Sequence, residues 1–316
     1  MSRDENDGQD IDGPRSERWL GRARGSHPPE LPPATRLRLP GRGTTSYREV
    51  PGPPGAPTVL LLHGWLATGA LNWFQAFEPL GEHFRVIAPD LRGHGAGIRS
   101  ARRFRLADCA DDMGALVAQL DLGPVIAAGY SMGGPVAQLL WRQHPERVSG
   151  LVLCATGTEF VTGNRERYAF SALMSALAGT TRVGAVLGWL PAALARHLVG
   201  MPLGGARGEV SRWARKEMSG HSIRQLLEAG HAIGNYSSKH WIHEIDVPTS
   251  VLITEDDNAV SPMGQFRMAM AIPNAHINRI QGGHVASALP VFGRKITDAC
   301  LDVQRRVALV SATRAG

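Results

Sequence analysis

Short runs of apolar residues alternate along most of the chain with segments whose apolar residues recur at helical spacing. Residues 58–63 contain four consecutive apolar positions, a pattern typical of a strand that is buried on both faces. Residues 106–120 instead place their apolar side chains on one face of a helix. Strands are predicted at residues 58–63, 84–88, 148–154, 249–254 and 276–280, with one more directly before Gly129.

Helices are predicted between these strands, at residues 73–80, 106–120, 262–271 and 285–307, with one more after Ser131. Residues 35–39 and 45–50 alternate apolar and polar positions and predict an opening antiparallel pair. Because strands and helices alternate at this spacing, we expect an α/β protein with a mostly parallel central sheet and helices on both faces.

The strand signal stops between residues 156 and 245. Helical patterns replace it at residues 166–177, 182–198, 209–218 and 223–233, so we interpret 156–245 as a helical cap, or lid, inserted over the strand ends. The core is then expected at 34–155 and 246–306. Residues 1–33 are rich in Asp, Arg, Gly and Pro, and we expect them to be disordered or loosely packed.

Ser131 lies between Gly129 and Gly133, at the junction of a predicted strand and a predicted helix. This matches the G-x-S-x-G nucleophile elbow in the context that the motif requires. A turn this sharp brings the strand backbone against the first helical turn, so glycine is needed two residues before and after the serine. The serine is expected to be strained and exposed beside helix N-terminal amides that could bind an oxyanion. A glycine–serine turn without chemistry is the alternative.

Composition narrows the possible functions. Net charge is +6, but the arginines are spread along the whole chain, which argues against a nucleic-acid partner. The three cysteines, Cys109, Cys154 and Cys300, lie in apolar segments without C-x-x-C spacing and are expected to be buried thiols. The N-terminal segment lacks the apolar core of a secretory signal, and no apolar run reaches about 18 residues. We therefore expect a cytoplasmic protein without stable membrane insertion; the oligomeric state is not predicted.

Three chemically complementary residues follow predicted strands in the order Ser131, Asp257, His284. A serine hydroxyl becomes an effective nucleophile when an imidazole takes its proton, and a carboxylate fixes the tautomer of that imidazole and stabilises its charge. The order serine, acid, histidine is that of α/β-hydrolases.

Residues 35–305 resemble the α/β-hydrolase superfamily, in its serine-nucleophile branch of esterases, lipases and haloperoxidase-like enzymes. The motifs that carry the resemblance are His63-Gly64-Trp65, Asp90-Leu91-Arg92-Gly93-His94-Gly95, Gly129-Tyr130-Ser131-Met132-Gly133-Gly134, Val247-Pro248-Thr249 leading to Glu255-Asp256-Asp257, and Gly282-Gly283-His284. The resemblance implies an α/β-hydrolase fold with a helical lid, and no cofactor.

The resemblance also assigns roles to single residues. It makes Ser131 the nucleophile, His284 the general base and acid, and Asp257 the orienting carboxylate. The oxyanion hole would consist of the backbone N–H groups of Trp65 and Met132, and the supporting residues of the elbow and loop would be His63, Gly64, Gly129 and Gly133.

The acid is the least secure of these assignments. The family usually carries glycine where Thr254 stands and often proline where Asn258 stands, so Asp256 and Glu159 remain alternatives to Asp257.

The expected reaction is two-step acyl transfer on a small-molecule carboxylic ester with a fairly apolar acyl group. Serine at the elbow argues against dehalogenases and epoxide hydrolases of this fold, whose nucleophile is an aspartate. Lactonase, thioesterase, carbon–carbon hydrolase and perhydrolase activities stay open, as do a non-catalytic ligand-binding role and a lid that docks on membranes. No metal is expected, because the cap histidines show no ligand-like spacing; they are His221, His231, His240 and His243.

Overall fold

The computed structural model describes residues 28–161, 163–184 and 209–315. Residues 1–27 of the predicted N-terminal extension and residues 185–198 of one predicted cap helix lie outside the described residues.

Eight strands form one central sheet in the order β1-β2-β4-β3-β5-β6-β7-β8. β1 and β2 are antiparallel to their neighbours, and all other neighbouring pairs are parallel. The strands are β1 (Ala34–Leu39), β2 (Gly43–Val50), β3 (Thr58–Leu62), β4 (Arg85–Pro89), β5 (Val125–Tyr130), β6 (Val148–Cys154), β7 (Thr249–Thr254) and β8 (His276–Ile280). The predicted mostly parallel sheet is confirmed.

Alternate residues of the central strands contribute to two separate hydrophobic cores. In β3, Leu60 and Leu62 belong to one core, and Val59 and Leu61 belong to the other. Every residue of β3 is buried because helices cover both faces of the sheet. The helices of the core are α1 (Gly69–Trp73), α2 (Phe77–Gly81), α3 (Leu106–Gln119), α4 (Gly133–Gln143), α8 (Pro262–Ala271) and α9 (Phe292–Ala315). All three cysteines are buried and free, as predicted.

Two helix predictions in the core were wrong in their extent, and one cap helix, Asn164–Gly184, continues across the break predicted between residues 177 and 182. The helix predicted at 73–80 is two short helices, α1 and α2. The first begins early because Thr68 caps it, accepting a hydrogen bond from the backbone N–H of Leu71 at 3.0 Å. The helix predicted at 285–307 is a 3-10 turn, Ala286–Ala288, followed by α9. Pro290 separates the two, since the residue before a proline avoids helical geometry and Leu289 is extended.

Three helices occupy the described part of the predicted cap. They are α5 (Asn164–Gly184), α6 (Glu209–Ser219) and α7 (Ile223–Gly234), followed by a 3-10 turn at Ile242–Glu244. Met174 and Ala178 of α5 form a small buried cluster with Leu227 of α7. The described helices include none that is both long and apolar enough to cross a membrane.

Candidate active site

Ser131 occupies the turn between β5 and α4 with a φ of +51°, a strained value for a residue with a side chain. A Cβ on Gly129 would lie 2.3 Å from the carbonyl oxygen of Gly133. This is the predicted clash between the strand and the first helical turn. A Cβ on Gly133 would lie 2.0 Å from the carbonyl oxygen of Leu62 in β3, so the neighbouring strand imposes a second steric limit that the sequence did not reveal.

Ser131, His284 and Asp257 form one continuous chain of hydrogen bonds. The Oγ of Ser131 lies 2.9 Å from Nε2 of His284, and Nδ1 of His284 lies 2.9 Å from Oδ2 of Asp257. The three residues lie at or just beyond the carboxyl ends of β5, β8 and β7, which meet at one edge of a parallel sheet. Ser131 is 8% exposed and Asp257 is 3% exposed, so the acid is shielded while the alcohol retains some access to solvent.

The alternative acids lie elsewhere. Asp256 is exposed, and its Oδ2 accepts a hydrogen bond from Nε2 of Gln281 at 2.8 Å. Glu159 forms an ion pair with Lys239. Of the three candidates, the structure brings Asp257 to His284.

The carboxylate of Asp257 is stabilised in its charged form despite its burial. Burial raises the pKa of Asp257, but hydrogen bonds from His284, the backbone N–H of Val260 and Thr254 lower it by more, so the net pKa lies below the usual value. Asp257 is therefore ionised at neutral pH, as is required of a group that orients an imidazole and stabilises an imidazolium.

Tyr130 bonds to the backbone of the loop that follows β8 and carries His284. No sequence pattern predicted this contact. The hydroxyl of Tyr130 donates to the carbonyl oxygen of His284 at 2.8 Å and accepts from the backbone N–H of Ser287 at 3.4 Å. Tyr130 directly precedes Ser131 in the elbow motif, and this position was the one sign in the sequence that its side chain could lie at the site. Tyr130 thus connects the loop that carries the histidine to the strand that carries the serine.

The loop after β3 lies beside the serine. A Cβ on Gly64 would lie 3.3 Å from the Cβ of Ser131. His63 braces this loop: Nε2 accepts from the backbone N–H of Leu91 at 2.8 Å, so Nδ1 carries the proton and donates to the carbonyl oxygen of Gly64, also at 2.8 Å. Burial lowers the pKa of His63, which keeps the ring neutral.

The backbone N–H groups of Trp65 and Met132 are the expected oxyanion donors. Within the described part of the chain, neither N–H has a hydrogen-bond partner. Met132 directly precedes α4, so its amide lies at the positive end of the helix dipole. Two free amides flanking the serine are what a developing oxyanion requires.

The cap contacts the loop after β3, at Trp65, and the loop after β4, at Gly95. The indole N–H of Trp65 donates to the carbonyl oxygen of Leu226 in α7 at 2.9 Å, and its ring lies against the position of Gly230, where a Cβ would be 2.8 Å from Cζ2. The backbone N–H of Gly95 donates to Nδ1 of His221 at 2.8 Å. Burial lowers the pKa of His221 to about 4, so this acceptor is neutral at physiological pH. No pattern along the sequence indicates these contacts.

No three His, Cys, Asp or Glu side chains converge as metal ligands among the residues that the structure describes. Of the cap histidines, His221 bonds to the loop at Gly95, and His231 lies 2.8 Å from Oγ of Ser175 in α5.

Comparison with known proteins agrees with this architecture. Over 239 residues the chain is 29% identical to the poly(3-hydroxyalkanoate) depolymerase of Ectopseudomonas oleovorans, covering 73% of this chain and 80% of that one. Over 225 residues it is 30% identical to the pimeloyl-[acyl-carrier protein] methyl ester esterase of Chromobacterium violaceum, covering 69% of this chain and 83% of that one. A solved hydrolase from Pseudomonas aeruginosa PA01 shares the fold, with a TM-score of 0.70 and 23% identity over 86% of this chain and 98% of that one.

The family model of the alpha/beta hydrolase fold matches residues 57–289, which run from the first central strand through the serine turn to the loop that carries His284. Together with the eight-stranded sheet and the elbow at Ser131, this match shows that the chain belongs to the α/β-hydrolase family.

Proposed function

We propose that this protein is a serine hydrolase that cleaves carboxylic esters through an acyl-enzyme intermediate. The observation that supports it most is the unbroken hydrogen-bond chain from the Oγ of Ser131 through His284 to the buried carboxylate of Asp257. The similarity to a methyl ester esterase favours ester substrates over the other reactions of this fold.

In the first step, the Oγ of Ser131 attacks the ester carbonyl carbon while Nε2 of His284 removes the hydroxyl proton. The carbonyl oxygen becomes an oxyanion between the backbone N–H groups of Met132 and Trp65, each worth about 3 kcal/mol of transition-state stabilisation. The tetrahedral species then collapses. His284 gives its proton to the departing alcohol, and the acyl group stays on Ser131.

In the second step, water attacks the acyl carbon and gives its proton to His284. Collapse of this second tetrahedral species returns the proton to the Oγ of Ser131 and releases the carboxylic acid. The charge on Asp257 stabilises the imidazolium that forms in both steps.

An apolar acyl group is favoured by the surroundings of Trp65. Its backbone N–H is a proposed oxyanion donor, and its ring packs against the buried cluster of Met174, Ala178 and Leu227 in the cap. The residue that supplies this donor therefore packs its own side chain against apolar residues of the cap. Each methylene that an acyl chain buries there contributes about 0.8 kcal/mol.

A chain-length series of p-nitrophenyl esters tests this substrate class. We expect kcat/KM to rise from acetate to hexanoate, by up to about fourfold per methylene if each is fully buried. Matched thioester and lactone substrates, assayed alongside, are expected to react more slowly than the best ester. Best turnover with acetate and none with longer chains would contradict the apolar acyl site.

A further inference from the structure

Thr254 stands at the end of β7, three residues before Asp257, where the resemblance leads one to expect glycine. Its side chain is fully buried, and its Oγ1 lies 2.7 Å from Oδ2 of Asp257. Glycine could not make this contact. The acid therefore has a side-chain partner in this chain that the usual family pattern does not provide.

Gln265 of α8 fixes the direction of that hydrogen bond. Its Oε1 accepts from the backbone N–H of Thr254 at 3.1 Å, which assigns the orientation of the amide. Its Nε2 then donates to Oγ1 of Thr254 at 2.7 Å and to the carbonyl oxygen of Val260 at 2.8 Å. Because the ionised carboxylate of Asp257 can only accept, the hydroxyl hydrogen of Thr254 points to Asp257 while Oγ1 accepts from Gln265.

The two oxygens of Asp257 have different partners. Oδ1 accepts from the backbone N–H groups of Ala259 and Val260, at 2.8 and 2.9 Å. Oδ2 accepts from Thr254, faces Nδ1 of His284 and makes a longer contact, 3.4 Å, with Nε2 of Gln265. Thr254 and His284 thus share one oxygen, so the threonine hydroxyl withdraws charge from the same atom that would stabilise the imidazolium.

We propose that Thr254, oriented by Gln265, is a positioning residue for the acid: it selects the oxygen that faces His284 and limits the charge which that oxygen offers to the imidazole. This inference rests on the proposed hydrolase function. Thr254 touches no reacting atom and acts through Asp257 alone.

Tyr130 and Cys154 are titratable groups close to this carboxylate. Burial raises the pKa of Tyr130 and of Cys154 well above their usual values, so both are neutral through the working pH range. Asp256, the next residue, bonds to Gln281 at the surface. His284 is the ionisable side chain that bonds directly to Oδ2 of Asp257.

The test compares Thr254→Val with Thr254→Ser and with Thr249→Val. Valine keeps the shape and removes the donor, whereas serine restores the donor. Thr249 is the matched control: it is also fully buried in β7, but its hydroxyl donates to the carbonyl oxygen of Val247 at the opposite end of the strand. The readout is the second-order rate at which a fluorophosphonate labels Ser131, measured from pH 5 to 9 (about the range in which histidine titrates), with the melting temperature of each variant.

We expect Thr254→Val to slow labelling by about ten- to a hundredfold, because the carboxylate is no longer held in the orientation that faces His284 and the loss of this orientation outweighs the gain in charge on Oδ2. We also expect the acid limb of its pH profile to move to higher pH, because a carboxylate that has lost a donor holds the imidazolium more strongly. Thr254→Ser is expected to restore both the rate and the limb. Thr249→Val should keep the wild-type limb, whatever its melting temperature.

An unchanged limb in Thr254→Val, or an equal shift in Thr249→Val, would overturn the inference. If Thr254→Val does not fold, Gln265→Met serves instead. It keeps the donors from Ala259, Val260 and His284, removes the 3.4 Å contact of Nε2 of Gln265 with Oδ2 of Asp257, and frees the Thr254 hydroxyl to rotate. A shift of the acid limb in the same direction is expected, and an unchanged limb would contradict the inference. Wild-type protein that is not labelled at Ser131 would instead refute the proposed function.

Discussion

Replacing Ser131 by alanine is expected to lower kcat for the best p-nitrophenyl ester by about a millionfold while the protein remains folded. The variant retains His284, Asp257 and both proposed oxyanion donors, but it has no oxygen to form the acyl bond. The methyl group of alanine occupies the same position as the serine Cβ, so the packing of the elbow is preserved. Steady-state turnover and the thermal unfolding midpoint are the two measurements.

Ser261→Ala is the matched control for this change. Ser261 is exposed and caps α8, where its Oγ accepts from the backbone N–H of Gly264 at 3.1 Å. We expect this variant to lose about 1 kcal/mol of stability and to keep wild-type turnover. Ester hydrolysis that persists at the wild-type rate in purified Ser131→Ala would remove the nucleophile from the proposal.

The second large effect is expected at the acid. Asp257→Asn should slow acylation by about ten-thousandfold, because a neutral amide neither stabilises the imidazolium nor holds the productive tautomer. The substitution keeps the size of the side chain. The loss therefore reports the charge and the hydrogen-bond direction at Oδ2, which faces Nδ1 of His284. Single-turnover acylation with a p-nitrophenyl ester measures it without interference from product release.

Asp256→Asn provides the neighbouring control. Its carboxylate is exposed and paired with Gln281, so we expect acylation within about threefold of wild type, as for surface substitutions remote from the chemistry. A larger loss in Asp256→Asn than in Asp257→Asn would reverse the assignment of the acid.

The sheet could be predicted because its signal is local. Four consecutive apolar residues at 59–62 require a strand covered on both faces, and the structure buries all of them. The elbow is local too, since Gly129 and Gly133 act on the backbone around Ser131. Helix extents were less predictable. Trp73 and Phe77 are both buried, so apolar periodicity continues across the break between α1 and α2.

The choice of acid needed coordinates for a different reason. Asp256 and Asp257 are adjacent and chemically identical, and only the path of the loop decides which one faces His284. Contacts between distant segments were also invisible in the sequence. The indole of Trp65 bonds to the carbonyl oxygen of Leu226, and Tyr130 bonds to the backbone of His284, but neither pairing leaves a pattern along the chain.

The central claim is that His284 activates Ser131, and covalent labelling tests it most directly. Wild-type protein and His284→Gln are treated with the same fluorophosphonate, and the modified residue is mapped by peptide mass spectrometry. We expect a single adduct on Ser131 in the wild type and its near-complete loss in His284→Gln. An adduct on another residue, or equal labelling of Ser131 in both proteins, would contradict that claim.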